Sequence, residues 1–136
     1  FRALPKHVIR ILVAHHPLDL PAASEHRTVR RSALAAAALS ASGVDVVLSG
    51  HYHLTHFSDP AEPLRTGGHA ALIVQAGTAV SNRGRGELNS FNIIRTHRDW
   101  IEVSSHTWSE TAAEFRPSAR VDFERCAEGW RRTAKT

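Results

Sequence analysis

Two short histidine clusters carry most of the chemistry this sequence offers: His15-His16-Pro17, and Gly50-His51-Tyr52-His53. Imidazole nitrogens bind borderline transition metals such as zinc, iron, manganese or nickel. On a strand, histidines at i and i+2 share a face but stand two residues apart, whereas on a turn they can present neighbouring nitrogens. By itself a Gly-His-x-His tetrapeptide also occurs as an exposed pair without a role. Its meaning depends on what the rest of the chain brings beside it.

The elements that would position these residues are readable in part. Val44 to Ser49 is an apolar run between Gly43 and Gly50, which suits a strand buried on both faces. Gly50 is expected to turn the backbone off the strand end and to let a ligand approach closely. His7 to Ala14 reads as an earlier buried strand, ended by Pro17. Between them, about Glu25 to Ala41 reads as a helix rich in alanine. Val29, Ala33, Ala36 or Ala37, and Ser40 form one face, and Gly43 is the left-handed residue after its end. Strand, helix, strand at this spacing is a βαβ unit, so the two strands are expected to be parallel. Both carboxyl ends then lie at one sheet edge, where open α/β sheets place ligands. His15 and His51 are thereby expected to meet.

Further on, Leu54 to His69 reads as loop and Ala70 to Ala76 as a third strand ended by Gly77. A basic, glycine-flexed loop, Thr78 to Leu88, carries Arg83 and Arg85. Asn89 to Thr96 and Trp100 to Trp108 alternate as a hairpin turning at His97-Arg98-Asp99. Residues 110–136 are weakly patterned, with a strand near Ala113 to Val121, a short helix near Phe123 to Trp130 and a charged tail. His7, His26, His97 and His106 lack metal spacing and read as structural or exposed, while His56 and His69 read as loop surface.

At 136 residues the chain reads as one domain, with 42% hydrophobic and 22% charged residues in the ordinary globular range. The formal charge of +4 is spread along the chain, and aromatic residues make up only 7%, so a nucleic-acid platform is not expected. A single cysteine, Cys126, excludes an internal disulfide and points to a reducing, cytoplasmic setting. No apolar run reaches the roughly 18 residues of a membrane span, and no signal peptide is evident. There is no methionine, so Phe1 is not an initiator and the chain is expected to be a piece of something longer.

VAHHPLDLP, then a helix, then VDVVLSGHYHLTHF together resemble the C-terminal half of the calcineurin-like metallophosphoesterases. VQAGTAVSNRGRGELNSFNIIR is similar to members related to class III cyclic-nucleotide phosphodiesterases. The resemblance implies the C-terminal half of a four-layer αββα sandwich, beginning with the βαβ unit and continuing in largely antiparallel strands. It also implies a dinuclear centre of divalent transition metals that hydrolyses phosphate mono- or diesters. Carried over by position, His15 and His51 would bind one metal and His53 the other, with His16 the alternative to His15. Otherwise His16, like His56, would stand behind the ligands and orient them. Arg83 and Arg85 would contact the substrate phosphate, or else form a solvated charge cluster; Thr78 and Asn82 are further candidates to line the site.

The family's Asp-x-His, Gly-Asp and Gly-Asn-His motifs are absent. Three neutral imidazoles without a bridging carboxylate cannot hold two cations at the roughly 3.5 to 4 Å of a two-metal site. One metal on three histidines with an open position is physically possible. The isolated chain is therefore expected to be inactive or nearly so. Its partners would be a phosphoester, no membrane, and the missing half of the domain or a second copy across a bare sheet edge.

Overall fold

The computed structural model describes residues 3–5, 7–18, 30–58, 69–82 and 86–133. Among these residues it is an α/β fold of two four-stranded sheets and one helix. The first sheet comprises β1 (Ile11–Val13), β2 (Val46–Ser49), β3 (His56–Ser58) and β4 (Leu72–Gln75), in the order β1-β2-β4-β3. Strands β1, β2 and β4 run parallel, with Val13 beside Leu48 and Ser49 beside Gln75, while β3 is antiparallel to β4. The second sheet is an antiparallel meander of β5 (Ser90–Thr96), β6 (Trp100–Ser109), β7 (Glu114–Cys126) and β8 (Gly129–Arg132). Helix α1 (Ser32–Ser42) joins β1 to β2 and ends on Gly43, whose φ of 74° and amide bonds to Leu39 and Ser40 close the last turn.

Period-two alternation divides the central sheet between two cores. Val46, Leu72 and Val74 face the second sheet, meeting Ile101, Val103, Val121, Phe123 and Trp130. Val47 and Ile73 face the other way, with Ala71 and Val44, onto Ala36 of the helix. The described chain thus stacks three layers: helix, mixed sheet, antiparallel sheet. Strand β1 is less well covered. Ile11 and Val13 are 43% and 75% exposed, on the face they share with Val46 and Leu48.

Beneath β2, Asp45 is fully buried and ties the layers together. One carboxylate oxygen accepts the Arg10 amide at 2.8 Å. The other accepts Trp130 Nε1 at 2.9 Å and Arg125 Nη1 at 3.3 Å. Arg10 Nη1 and His69 Nε2 stand at 3.5 Å, ion-pair range rather than good hydrogen bonds. Burial alone would push this carboxyl up; the adjacent His69 ring, the bonds from the Arg10 amide and Trp130, and the Arg125 charge outweigh it and hold it below its ordinary 3.8.

The outer face of the second sheet is polar below and aromatic above. Arg95 and Arg120 bracket Glu102 at 2.5 and 3.1 Å, and further up Phe91 stacks on His106 and meets Phe115. The change falls where the β6–β7 register slips: Ser105 pairs with Ala119 but His106 with Pro117, leaving Ser118 as a bulge.

Four local expectations are corrected. The helix does not run from Glu25 to Ala41: Arg31 sits at φ 62°, which no helix accommodates, so α1 starts at Ser32; residues 25–29 lie outside the described ones. The stretch Leu54 to His69 is not all loop, since β3 completes the edge beside β4. No helix spans Phe123 to Trp130, because Gly129 at φ 118° turns β7 into β8 and buries Trp130 in the core. His69 is not loop surface but half-buried beside Asp45.

Candidate metal centre

The imidazoles of His15, His16 and His51 converge beyond the carboxyl ends of β1 and β2. Parallel pairing does this: Ala14 donates to Leu48 O at 2.8 Å and Gly50 to His15 O at 3.2 Å, so the two strand exits leave side by side. One nitrogen from each of the three rings lies within 4.8 Å of the others, and all three residues are exposed. His51 Nδ1 and His15 Nε2 share a proton at 2.8 Å. The His16 and His51 rings lie 4.2 Å apart between centroids, and Tyr52 packs edge-on to His51 at 4.7 Å.

The expected turn at Gly50 is made by its neighbour instead. Tyr52 N donates to Gly50 O at 3.0 Å, closing a three-residue γ-turn around His51, whose φ is 75°. Nothing lies within 4 Å of where a Gly50 Cβ would stand, so no close approach requires glycine there. His53 is also left-handed, at φ 60°. Non-glycine residues held in this region cost on the order of 1 to 3 kcal/mol each and concentrate at functional sites.

The donor set fits one metal ion. Tetrahedral coordination at nitrogen distances of about 2.0 to 2.1 Å needs nitrogens roughly 3.3 Å apart, inside the observed span. Three ligands leave a fourth position, and the exposure of all three histidines keeps that position open to water. No Asp, Glu or Cys among the described residues joins the group.

The structure brings some of the residues assigned from sequence together and not others. His15 and His51 come together, while the third imidazole beside them is His16 rather than His53. His53 lies outside the group, and its Nδ1 is buried without a hydrogen-bond partner. His56 is a residue of β3, opposite Gln75. Arg83 and Arg85 fall outside the described residues. Thr78 uses its carbonyl to hold Ser90 N at 2.8 Å, and Asn82 is exposed. Sequence reasoning passed over Ser49 and Gln75, cross-strand partners at the same sheet edge whose Oγ and Oε1 are buried without partners. A polar residue ending each apolar run was the available signal.

No family model matches the chain, and no curated relative was found. Among solved structures, it is similar to Vps29 of Entamoeba histolytica. A single and a double mutant of that protein are each 19% identical, with a TM-score of 0.48, over 71% of this chain and 48% of theirs. The wild-type protein complexed with Zn2+ is 18% identical, with a TM-score of 0.47, over 70% of this chain and 48% of its own. The chain thus spans about half the length of the structures it matches.

Proposed function

We propose that this chain supplies imidazole ligands to a divalent transition-metal centre in a phosphoester hydrolase whose carboxylate ligands lie elsewhere. The observation that carries the reading is the convergence of His15, His16 and His51 from two parallel strand exits. A metal bound there would polarise a phosphoryl oxygen and lower the pKa of a coordinated water. The chain's own residues hold and orient: the γ-turn aims His51, and the adjoining strand exits keep His15 and His16 beside it. Ile11 and Val13, exposed on the face of β1, are apolar surface that the rest of the domain or a second copy would cover. A cytoplasmic phosphodiesterase is the specific form favoured by the motif resemblance. No helix among the described residues is long and apolar enough to cross a membrane.

A second reading, a metal-binding module without catalysis, is favoured by the lack of any carboxylate in the group. Elemental analysis of the zinc-loaded chain, with hydrolysis of a bis-aryl phosphate ester, separates the two. The enzyme reading expects one metal per chain, no turnover alone, and turnover after adding a polypeptide that bears the Asp-x-His and Gly-Asn-His motifs. Turnover by the chain alone refutes its incompleteness; no turnover in the mixture favours the binding module. Failure to retain any metal removes both.

A further inference from the structure

Among the open edges of the two sheets, β5 stands apart. Edge strands recruit further strands through their unpaired main-chain groups, and shortness, proline, lysine or a bulge usually prevents it. Strands β1, β3 and β8 are kept to three, three and four residues. Strand β5 has seven, contains neither proline nor lysine, and pairs with β6 without a register shift. Trp108 N donates to Asn89 O at 2.7 Å and His97 N to Trp100 O at 2.8 Å, so the odd-numbered residues of β5 are the ones that bond β6. Ser90, Asn92, Ile94 and Thr96 turn their amides and carbonyls the other way. Thr78 O takes the Ser90 amide at 2.8 Å, and the main chain of Asn92, Ile94 and Thr96 has no partner among the described residues. We propose that this edge is a homodimer interface, where β5 pairs antiparallel with β5 of a second copy about a two-fold axis at Ile93.

Hydrogen bonding is the first reason, since a row of unpaired strand groups is matched by another strand. In this register Asn92 and the partner's Ile94 exchange both of their main-chain bonds, twice over by symmetry, and Thr96 N reaches the partner's Ser90 O. That makes about six bonds between the copies. The second reason is self-complementarity, which a two-fold contact requires. On the outer face Ile93 meets the partner's Ile93, and Arg95 meets the partner's Phe91. Phe91 is held by the His106 ring stacked on it, and a guanidinium over such a ring is favourable. The two Arg95 side chains then stand at opposite ends of the pair. Moving the axis by one residue, to Ile94, would instead set the two guanidiniums one diagonal step apart. Ile93 is half-buried and packs in neither core, so a second copy would bury it further.

Sedimentation equilibrium of the 136-residue chain, from micromolar to millimolar concentration, is expected to show its mass of 15.0 kDa doubling. Ile93→Lys opposes like charges across the axis and leaves both cores intact. With the circular-dichroism melt unchanged, it is expected to raise the dimer dissociation constant at least about tenfold. Disulfide trapping decides the register, and does so even where that variant folds poorly. In a Cys126→Ser background, Ile93→Cys stands about 4.5 Å from its counterpart between Cα atoms and is expected to oxidise to a covalent dimer. Arg95→Cys, roughly 14 Å from its own counterpart, is expected to form none. A chain that stays monomeric throughout, as an edge reserved for a different polypeptide would leave it, overturns the proposal. So does a dimer that Ile93→Lys does not weaken, or a covalent dimer through Arg95→Cys in place of Ile93→Cys.

Discussion

Replacing Asp45 with asparagine tests the interlayer pin most directly. The carboxylate is fully buried and receives Arg10 N at 2.8 Å, Trp130 Nε1 at 2.9 Å and Arg125 Nη1 at 3.3 Å. Asparagine keeps the shape but removes the charge facing two guanidiniums. Taking away one member of a buried ion pair costs about 3 to 5 kcal/mol. The Arg10 and Arg125 side chains are 10% and 21% exposed, so water recovers part of the loss and the lower end applies. About 3 kcal/mol is a large share of the roughly 5 to 15 kcal/mol a domain possesses. It corresponds to a fall in Tm on the order of 10 °C at this chain length. The folded carboxyl titrates below its ordinary 3.8, so its stabilisation is fully present above that value and disappears as pH falls through the lower, folded one. Circular-dichroism melts of both proteins should therefore show a constant gap from about pH 5 to 8 that closes only in acid. A gap at neutral pH under about 1 kcal/mol, or one that closes between about pH 5 and 8, refutes the account.

Three other perturbations have definite outcomes. His16→Ala should weaken zinc binding by at least the roughly 10- to 100-fold that even a supporting residue commands, and His53→Ala should leave it within a few-fold; calorimetric titration decides, and the reverse order would restore the assignment made from sequence. Gly129→Ala would place a Cβ 2.8 Å from Ala70 N, and closer still to its carbonyl oxygen, at φ 118°; a loss of about 3 kcal/mol in urea denaturation is expected. Ala113→Gly relieves a φ of 52° in the exposed β6–β7 turn and should raise stability by about 0.5 to 1 kcal/mol, read by the same denaturation.

Legibility followed length and periodicity. The β5–β6 hairpin alternates over enough residues to declare itself, and β2 is an apolar run between two glycines, so the convergence of His15 and His51 followed from parallel pairing. Strand β3 has three residues, too few for any period. Strand β7 is exposed along most of its length and buries only Val121 and Phe123, so the strand expected near Ala113 to Val121 gave no sign of continuing and a helix was expected from Phe123 instead. The partners of Asp45 lie 35, 80 and 85 positions away, a distance over which a single sequence gives no pairing. That His16 lies beside His15 and His51 while His53 does not was equally hidden. It depends on the γ-turn putting His51 rather than Gly50 at φ 75°, and a glycine at the expected place masked that.

The extra residue in β7 sets the parity of the whole strand. Below Ser118 the outer face takes even positions, Arg120 and Asp122; above it the same face takes odd ones, Phe115 and Pro117. The bulge is itself stitched in, since Ser118 Oγ accepts from Thr107 and donates to Ser105 O. Deleting Ser118 would therefore not exchange the faces: Pro117 would adjoin Ala119 directly on the ladder, opposite His106, and Phe115 would keep its place opposite Trp108. Deleting Arg116 instead, with the bulge retained, would bring Phe115 opposite Thr107 on the inner face and set Glu114 against Trp108. A single missing codon is absorbed at the bulge and turns the strand over two residues away.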